Sequence, residues 1–170
     1  MKKLYFMRHG LSEMNVAGIW SGTTETPLTD TGRKQARHAG ETAGSLGIDI
    51  IVCSTLSRAI ETAEIVASKI GYPLDKIQKS DLLIERHFGG MEGQPYFPDL
   101  DMENFAGVES IEALFERARL ALEWIQSLPG DTILIVSHGS TGRALRHIVT
   151  PAIPFQGAGH LPNAEIILLS

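Results

Sequence analysis

Four short apolar runs, Lys3 to Met7, Asp49 to Cys53, Thr132 to Ser137 and Glu165 to Leu169, recur along the chain without the polar alternation of a half-exposed strand. Runs of that length rich in Ile, Val and Leu predict strands covered on both faces. Between them lie helical patterns: Ala36, Ala39, Ala43 and Leu46; then Ala59, Ala63, Val66, Ala67 and Ile70. The pattern Ile111, Leu114, Phe115, Ala118, Ala121, Leu122 and Ile125 follows the i, i+3, i+4, i+7 template, and a last helix is expected from near His138 to Val149, ahead of Pro151. Strands alternating with helices need right-handed crossovers. The expected fold is therefore α/β, a three-layer sandwich with a mostly parallel central sheet and helices on both faces. With 170 residues, 43% apolar content and no internal repeat, one domain spanning 1–170 is expected. A further short strand is expected to end near Leu82 to Glu85. Gln94 to Gly107, with Pro95, Pro98 and three acids, reads as an irregular loop, a short lid at about 94–108.

The formal net charge of -5 argues against nucleic acid or an anionic membrane as partner, since both need a basic face. The single cysteine, Cys53, lies in an apolar run and reads as a buried structural thiol, in keeping with a reducing cytoplasm. The run after Lys2 and Lys3 breaks at Arg8, too short for an export signal or a membrane span. A monomer and a dimer are both open.

In such sheets ligands bind beyond the carboxyl ends of the strands. After the first run comes Arg8-His9-Gly10, after the second Ser54 to Ala59 with Arg58, and after the third Ser137-His138-Gly139-Ser140. A phosphate monoester carries roughly 1.5 to 2 negative charges at neutral pH and asks for fixed cations and oriented N–H donors. Arg8 and Arg58 supply two guanidinium forks. His9 can attack phosphorus if it is neutral and its other nitrogen is held by an acceptor, and two neighbouring arginines keep its lone pair free. His138 stands where a helix begins, so the helix N-terminal N–H groups are expected to face an anion, with Gly139 allowing close backbone approach. Glu85 is the candidate acid for the departing alkoxide. A metal-dependent hydrolase built from His9, Glu85, His87 and His138 is a rival, opposed by two arginines that would repel a dication. A non-catalytic phosphate-binding module is another, though binding alone needs neither nucleophile nor acid.

These residues carry a resemblance. Arg8-His9-Gly10 with Ser12 and Asn15, Ser21-Gly22, Pro27 to Ala36, Ser54-x-Leu56-x-Arg58-Ala59, Glu85 with Phe88-Gly89-Gly-Met-Glu-Gly93, and Ser137-His138-Gly139 resemble the histidine phosphatase superfamily, in particular its phosphoglycerate-mutase-like branch. The resemblance implies that His9 becomes phosphorylated, that Arg8, Arg58 and His138 surround the phosphate, and that Glu85 is proton donor and then base for water. It places Asn15, Ser21 and Gly22 on the substrate side. It also implies a small phosphorylated substrate and neither metal nor organic cofactor.

Departures from the mutase pattern favour hydrolysis over the alternative, a cofactor-dependent phosphoglycerate mutase. Such mutases carry after the Glu-Arg-His stretch an insertion whose lysine and paired arginines grip the substrate carboxylate, whereas Gln94 to Gly107 holds no Lys or Arg. Leu11 replaces the glutamate common after Arg-His-Gly, and the sequence stops soon after its last apolar run, without the tail that helps cover the site in mutases.

Overall fold

All four apolar runs pair in one sheet. They form β1 (Lys3–Arg8), β2 (Ile50–Ser54), β4 (Thr132–Ser137) and β5 (Ile166–Leu168), joined by β3 (Gln78–Ser80), in the order β3-β2-β4-β1-β5. The pairs β1·β4, β2·β4 and β2·β3 are parallel and only the edge strand β5 runs antiparallel, against β1. The helices are α1 (Glu13–Ala17), α2 (Asp30–Ala43), α3 (Ser57–Ile70), α4 (Ile111–Ser127) and α5 (Gly139–Val149). This computed structural model describes residues 1–97, 102–157 and 159–170.

Alternate residues of the strands feed two separate cores, which is why the runs carry no polar positions. Leu4, Phe6, Val52, Ile133 and Ile135 face Leu114, Ala118 and Ala121 of α4 and Ala144 and Leu145 of α5. Met7, Ile51, Cys53, Leu134 and Val136 face Ala39 and Ala43 of α2 and Ala59, Ala63, Val66 and Ala67 of α3. The expected three layers are thus present. Small residues on the helices permit close approach: a methyl at Gly142 would strike the Phe6 ring. Burial pushes the Cys53 thiol up to about 12, as an inert structural cysteine requires.

The helix starts carry side-chain caps where the sequence offers them. Thr29 accepts from the Gly32 N–H and Ser110 from the Ala113 N–H, each at 3.0 Å. The expected helix around Ala36 to Leu46 begins earlier and ends at Ala43, because Thr29 supplies the cap. The strand expected to end at Leu82 to Glu85 lies upstream, at Gln78–Ser80, and Asp81–Leu83 is a 3₁₀ turn. Ser80 caps that turn through the Leu82 N–H, which stops the strand before Glu85. Part of the expected lid, residues 98–101, lies outside the described residues. Of its described part, Pro95 bridges Ile19, and Met102–Asn104 forms a 3₁₀ turn. Among the described residues no helix is long and apolar enough to cross a membrane.

Candidate active site

The register of the sheet brings the polar strand ends together. Arg8 pairs with Ser137 and Cys53 with Val136, so His9, His138 and Ser54 leave neighbouring strands at the same level. The His9 N–H extends the ladder by donating to the Ser137 carbonyl at 2.9 Å. The rings of His9 and His138 lie 5.2 Å apart. A cleft of about 930 Å³ opens over this edge, lined among others by Arg8, His9, Asn15, Ser21, Gly22, Arg58, Glu85 and Gly139.

His9 is 3% exposed, and its Nδ1 lies 2.7 Å from the Gly10 carbonyl oxygen. A carbonyl only accepts, so Nδ1 carries the proton and Nε2 the lone pair. Arg58 Nε donates to Nε2 at 3.3 Å. Burial, and then the Arg58 and Arg8 guanidinium groups, push the imidazole well below its ordinary pKa, so the ring is neutral near pH 7. Arg58, 1% exposed, spends its other donors on the Gly22 carbonyl at 2.7 Å and the Thr24 carbonyl at 2.9 Å. Gly22 has φ 51°, and a side chain there would also meet the Glu92 carboxylate, so glycine is required. Glu92 fixes this loop by accepting from the Thr23 N–H at 2.8 Å and the Thr24 hydroxyl at 2.6 Å.

Two buried nitrogens around His9 lack partners among the described residues. Arg8 Nη1 donates to His160 Nε2 at 2.9 Å and to the Leu161 carbonyl at 3.1 Å, but its buried Nε has none. His138 is fully buried, with Nε2 2.7 Å from Ser54 Oγ and Nδ1 unpaired. It too is pushed well below its ordinary pKa, by burial and then by Arg58, His9 and Arg8. Unpaired buried donors cost about 1–3 kcal/mol each unless a ligand satisfies them.

The expectation for the α5 N-terminus is corrected. Its first N–H groups do not face an open anion site: Ser140 N donates to Glu85 Oε2 and Thr141 N to Glu85 Oε1, both at 3.1 Å. The helix end thus positions the Glu85 carboxyl group at the cleft. Gly139 lines the cleft, where a Cβ would sit 3.6 Å from Arg8 Nε and 3.7 Å from Glu85 Oε2. Asn15 lines the cleft, but its Oδ1 also caps α1 through the Ser12 N–H at 3.1 Å. Gly10 answers to packing instead, because a methyl there would strike the Gly32 carbonyl of α2.

Several contributors escaped the sequence reading. Thr62 Oγ1 accepts from the Gly10 N–H at 3.0 Å and donates to the Arg58 carbonyl at 2.7 Å, tying the two motifs together. Arg117 of α4 grips the Leu82 and Ile84 carbonyls at 3.0 and 2.8 Å, fixing the segment that delivers Glu85. Asn163 Nδ2 donates to the His9 carbonyl at 2.9 Å. Trp20 packs between Phe88 and Tyr96, with centroids 4.6 and 4.5 Å away, as an apolar wall of the cleft. None has a local sequence signal beyond its residue type. Among the described residues no three of His, Cys, Asp and Glu are grouped as metal ligands. His87, a member of the proposed metal set, is exposed.

Comparison with known proteins agrees with this geometry. The sequence profile of the histidine phosphatase superfamily (branch 1) matches residues 4–170. An uncharacterized phosphatase PhoE of Bacillus subtilis (strain 168) is 33% identical over 171 residues, covering 96% of this chain and 86% of that protein. A probable phosphoglycerate mutase GpmB of Salmonella newport (strain SL254) is 32% identical over 151 residues, covering 82% and 70%. The solved structure of Bacillus stearothermophilus YhfR superposes with a TM-score of 0.87 at 26% identity, covering 99% of this chain and 90% of that one. In sequence and in fold, this chain belongs to the histidine phosphatase superfamily, branch 1.

Proposed function

We propose that the chain is a phosphomonoester hydrolase that works without a metal, through a phosphohistidine at His9, on small phosphorylated metabolites in the cytoplasm. The observation that carries the reading is the neutral His9, its Nε2 lone pair set between Arg58 and the unpaired donors of Arg8 and His138. Those donors match the equatorial oxygens of a phosphoryl group, and the arginines match its charge. In the tautomer whose Nε2 accepts from the Ser54 hydroxyl, the Nδ1 of His138 carries a proton to offer to an oxygen.

In the first step His9 Nε2 forms a bond to phosphorus as the P–O ester bond breaks, and the leaving oxygen takes a proton from Glu85. In the second, the Glu85 carboxylate removes a proton from water, whose oxygen attacks phosphorus as the P–N bond breaks. Inorganic phosphate leaves and His9 is restored. Hydrolysis is favoured over mutase action by the lid composition. Gln94 to Gly107 has no cation, and the nearby Arg86 is engaged by the Glu109 carbonyl at 2.7 Å and by Glu103 at 2.9 Å. The test is His9→Ala: turnover and acid-labile, base-stable labelling by a ³²P-phosphomonoester are lost while the far-UV spectrum is kept. Full turnover by the variant overturns the assignment.

A further inference from the structure

Two of the sequence motifs meet in one buried hydrogen bond. Ser54 is the last residue of β2 and His138 the first after β4, and the pairing of Cys53 with Val136 sets them side by side. Both side chains are fully buried, with Ser54 Oγ 2.7 Å from His138 Nε2. The same oxygen accepts from the Leu56 N–H at 3.2 Å. Leu56 is the N-cap of α3, the helix that presents Arg58, and its apolar side chain makes no capping bond. Ser54 Oγ has no third partner among the described residues.

A hydroxyl has one proton to give, and with Leu56 donating into the oxygen two arrangements remain. If His138 carries its proton on Nε2, the oxygen accepts twice and the Ser54 O–H is stranded in a buried site, which is costly. If the proton is on Nδ1, Ser54 accepts from Leu56 and donates to Nε2, and every group of the serine is used. We infer that Ser54 is a positioning residue: by donating to Nε2 it holds His138 in the Nδ1–H tautomer, so that the neutral ring offers a hydrogen bond to a phosphoryl oxygen at His9. The ligand in this statement rests on the hydrolase reading above; the tautomer stands on the geometry alone. Burial, then Arg58, His9 and Arg8, keep His138 from charging, so its ring has a single N–H. Nδ1 is the nitrogen without a protein partner, on a ring 5.2 Å from that of His9. Which nitrogen holds the proton therefore decides whether the anion meets a donor or a lone pair. Through Leu56 the same hydroxyl is also tied to the start of α3, a purely structural role that the test must separate.

The test reads the tautomer first. Protein with ¹⁵N-labelled histidine, its His138 signals assigned by their loss in His138→Ala, is examined near pH 7 by two-bond ¹H–¹⁵N correlation, which reports the nitrogen that bears the proton. Wild type is expected to show it on Nδ1, and Ser54→Ala to show a mixture of both forms or the Nε2 form. Ser54→Cys, which keeps the volume and a weak S–H donor, is expected to lie between them and takes the place of the alanine variant if that does not fold. A wild-type proton on Nε2, or an undiminished Nδ1–H form in Ser54→Ala, overturns the inference. Orthovanadate then probes the pocket by calorimetry. Affinity falls with the fraction of protein in the competent tautomer, so its Kd should rise about 2- to 10-fold in Ser54→Ala, the net worth of one neutral hydrogen bond. In a His138→Ala background, with no ring to orient, the same substitution should add little. An unchanged Kd in the single variant, or the full loss repeated in that background, overturns the inference, the latter because Ser54 would then act through Leu56 and Arg58. Failure of the hydrolase reading looks different: wild type binds vanadate with Nδ1 of His138 protonated and releases no phosphate from any ester.

Discussion

Two histidines buried in the neutral form make the stability of this protein fall on mild acidification. His9 and His138 are both pushed well below the ordinary value of 6.5, chiefly by burial, so between that value and their folded values the unfolded chain binds protons the folded chain refuses. Stability rises with pH wherever the unfolded state holds more protons, and is therefore lost as pH drops below 6.5. Between pH 7.5 and 5.5 one such histidine costs about 1.4 kcal/mol, and the pair about 2.7 kcal/mol. The depressed carboxyls Asp49, Glu92 and Glu109 act in the same direction at lower pH: their stabilisation is present above the ordinary carboxyl value and is lost only as pH falls below it, outside this window. Urea unfolding at the two pH values measures the difference. In His138→Gln, whose amide can still reach Ser54, the loss should halve to about 1.4 kcal/mol. A flat wild-type response, or an undiminished one in the variant, would refute the neutral buried pair.

Glu85→Gln should slow phosphorylation of His9 by alkyl phosphates by about 10²- to 10⁴-fold and by p-nitrophenyl phosphate far less, because the phenolate leaves without a proton; equal losses in pre-steady-state bursts would move the acid elsewhere. EDTA should leave turnover unchanged and vanadate should inhibit competitively; activity lost to chelation and restored by zinc or magnesium would revive the metal mechanism. Thr62→Val strands the buried Gly10 N–H, so about 1–3 kcal/mol of stability should go, visible as a Tm lower by roughly 2–10 °C. Turnover should fall with it, since the Gly10 carbonyl holds the His9 ring; an unchanged Tm and kcat would remove Thr62 from that role.

Much of the architecture was legible because a strand buried on both faces leaves an unbroken apolar run, and the polar residue that ends the run marks the rim of the sheet. Arg8-His9, Arg58 and Ser137-His138 could be located in this way. Glu85 was found by its motif, but its setting was not, because a side chain from α4 and the first N–H groups of α5 hold it, and nothing around position 85 encodes either. The helix start at His138 was read as an anion site since a helix N-terminus is the same whether it faces a ligand or a carboxylate of its own chain. Arg143 and His160 carry no sequence signal, since the contacts that place them are an aromatic ring twelve positions on for the first and an arginine at the opposite end of the sequence for the second.

The bond from Asn163 to the His9 carbonyl spans 154 residues, and the neighbouring Ala164 N–H donates to the Arg8 carbonyl at 2.8 Å. His9 is thus synthesised 154 residues before the side chain that braces its carbonyl. At about 5–20 residues per second, roughly 8–30 s separate the two. Until Thr132–Ser137 is made β1 lacks β4, and until Asn163 and Ala164 are made the His9 and Arg8 carbonyls lack the partners that hold them. A chain broken off before Asn163 therefore carries the Arg8-His9-Gly10 motif without the two hydrogen bonds that fix its backbone.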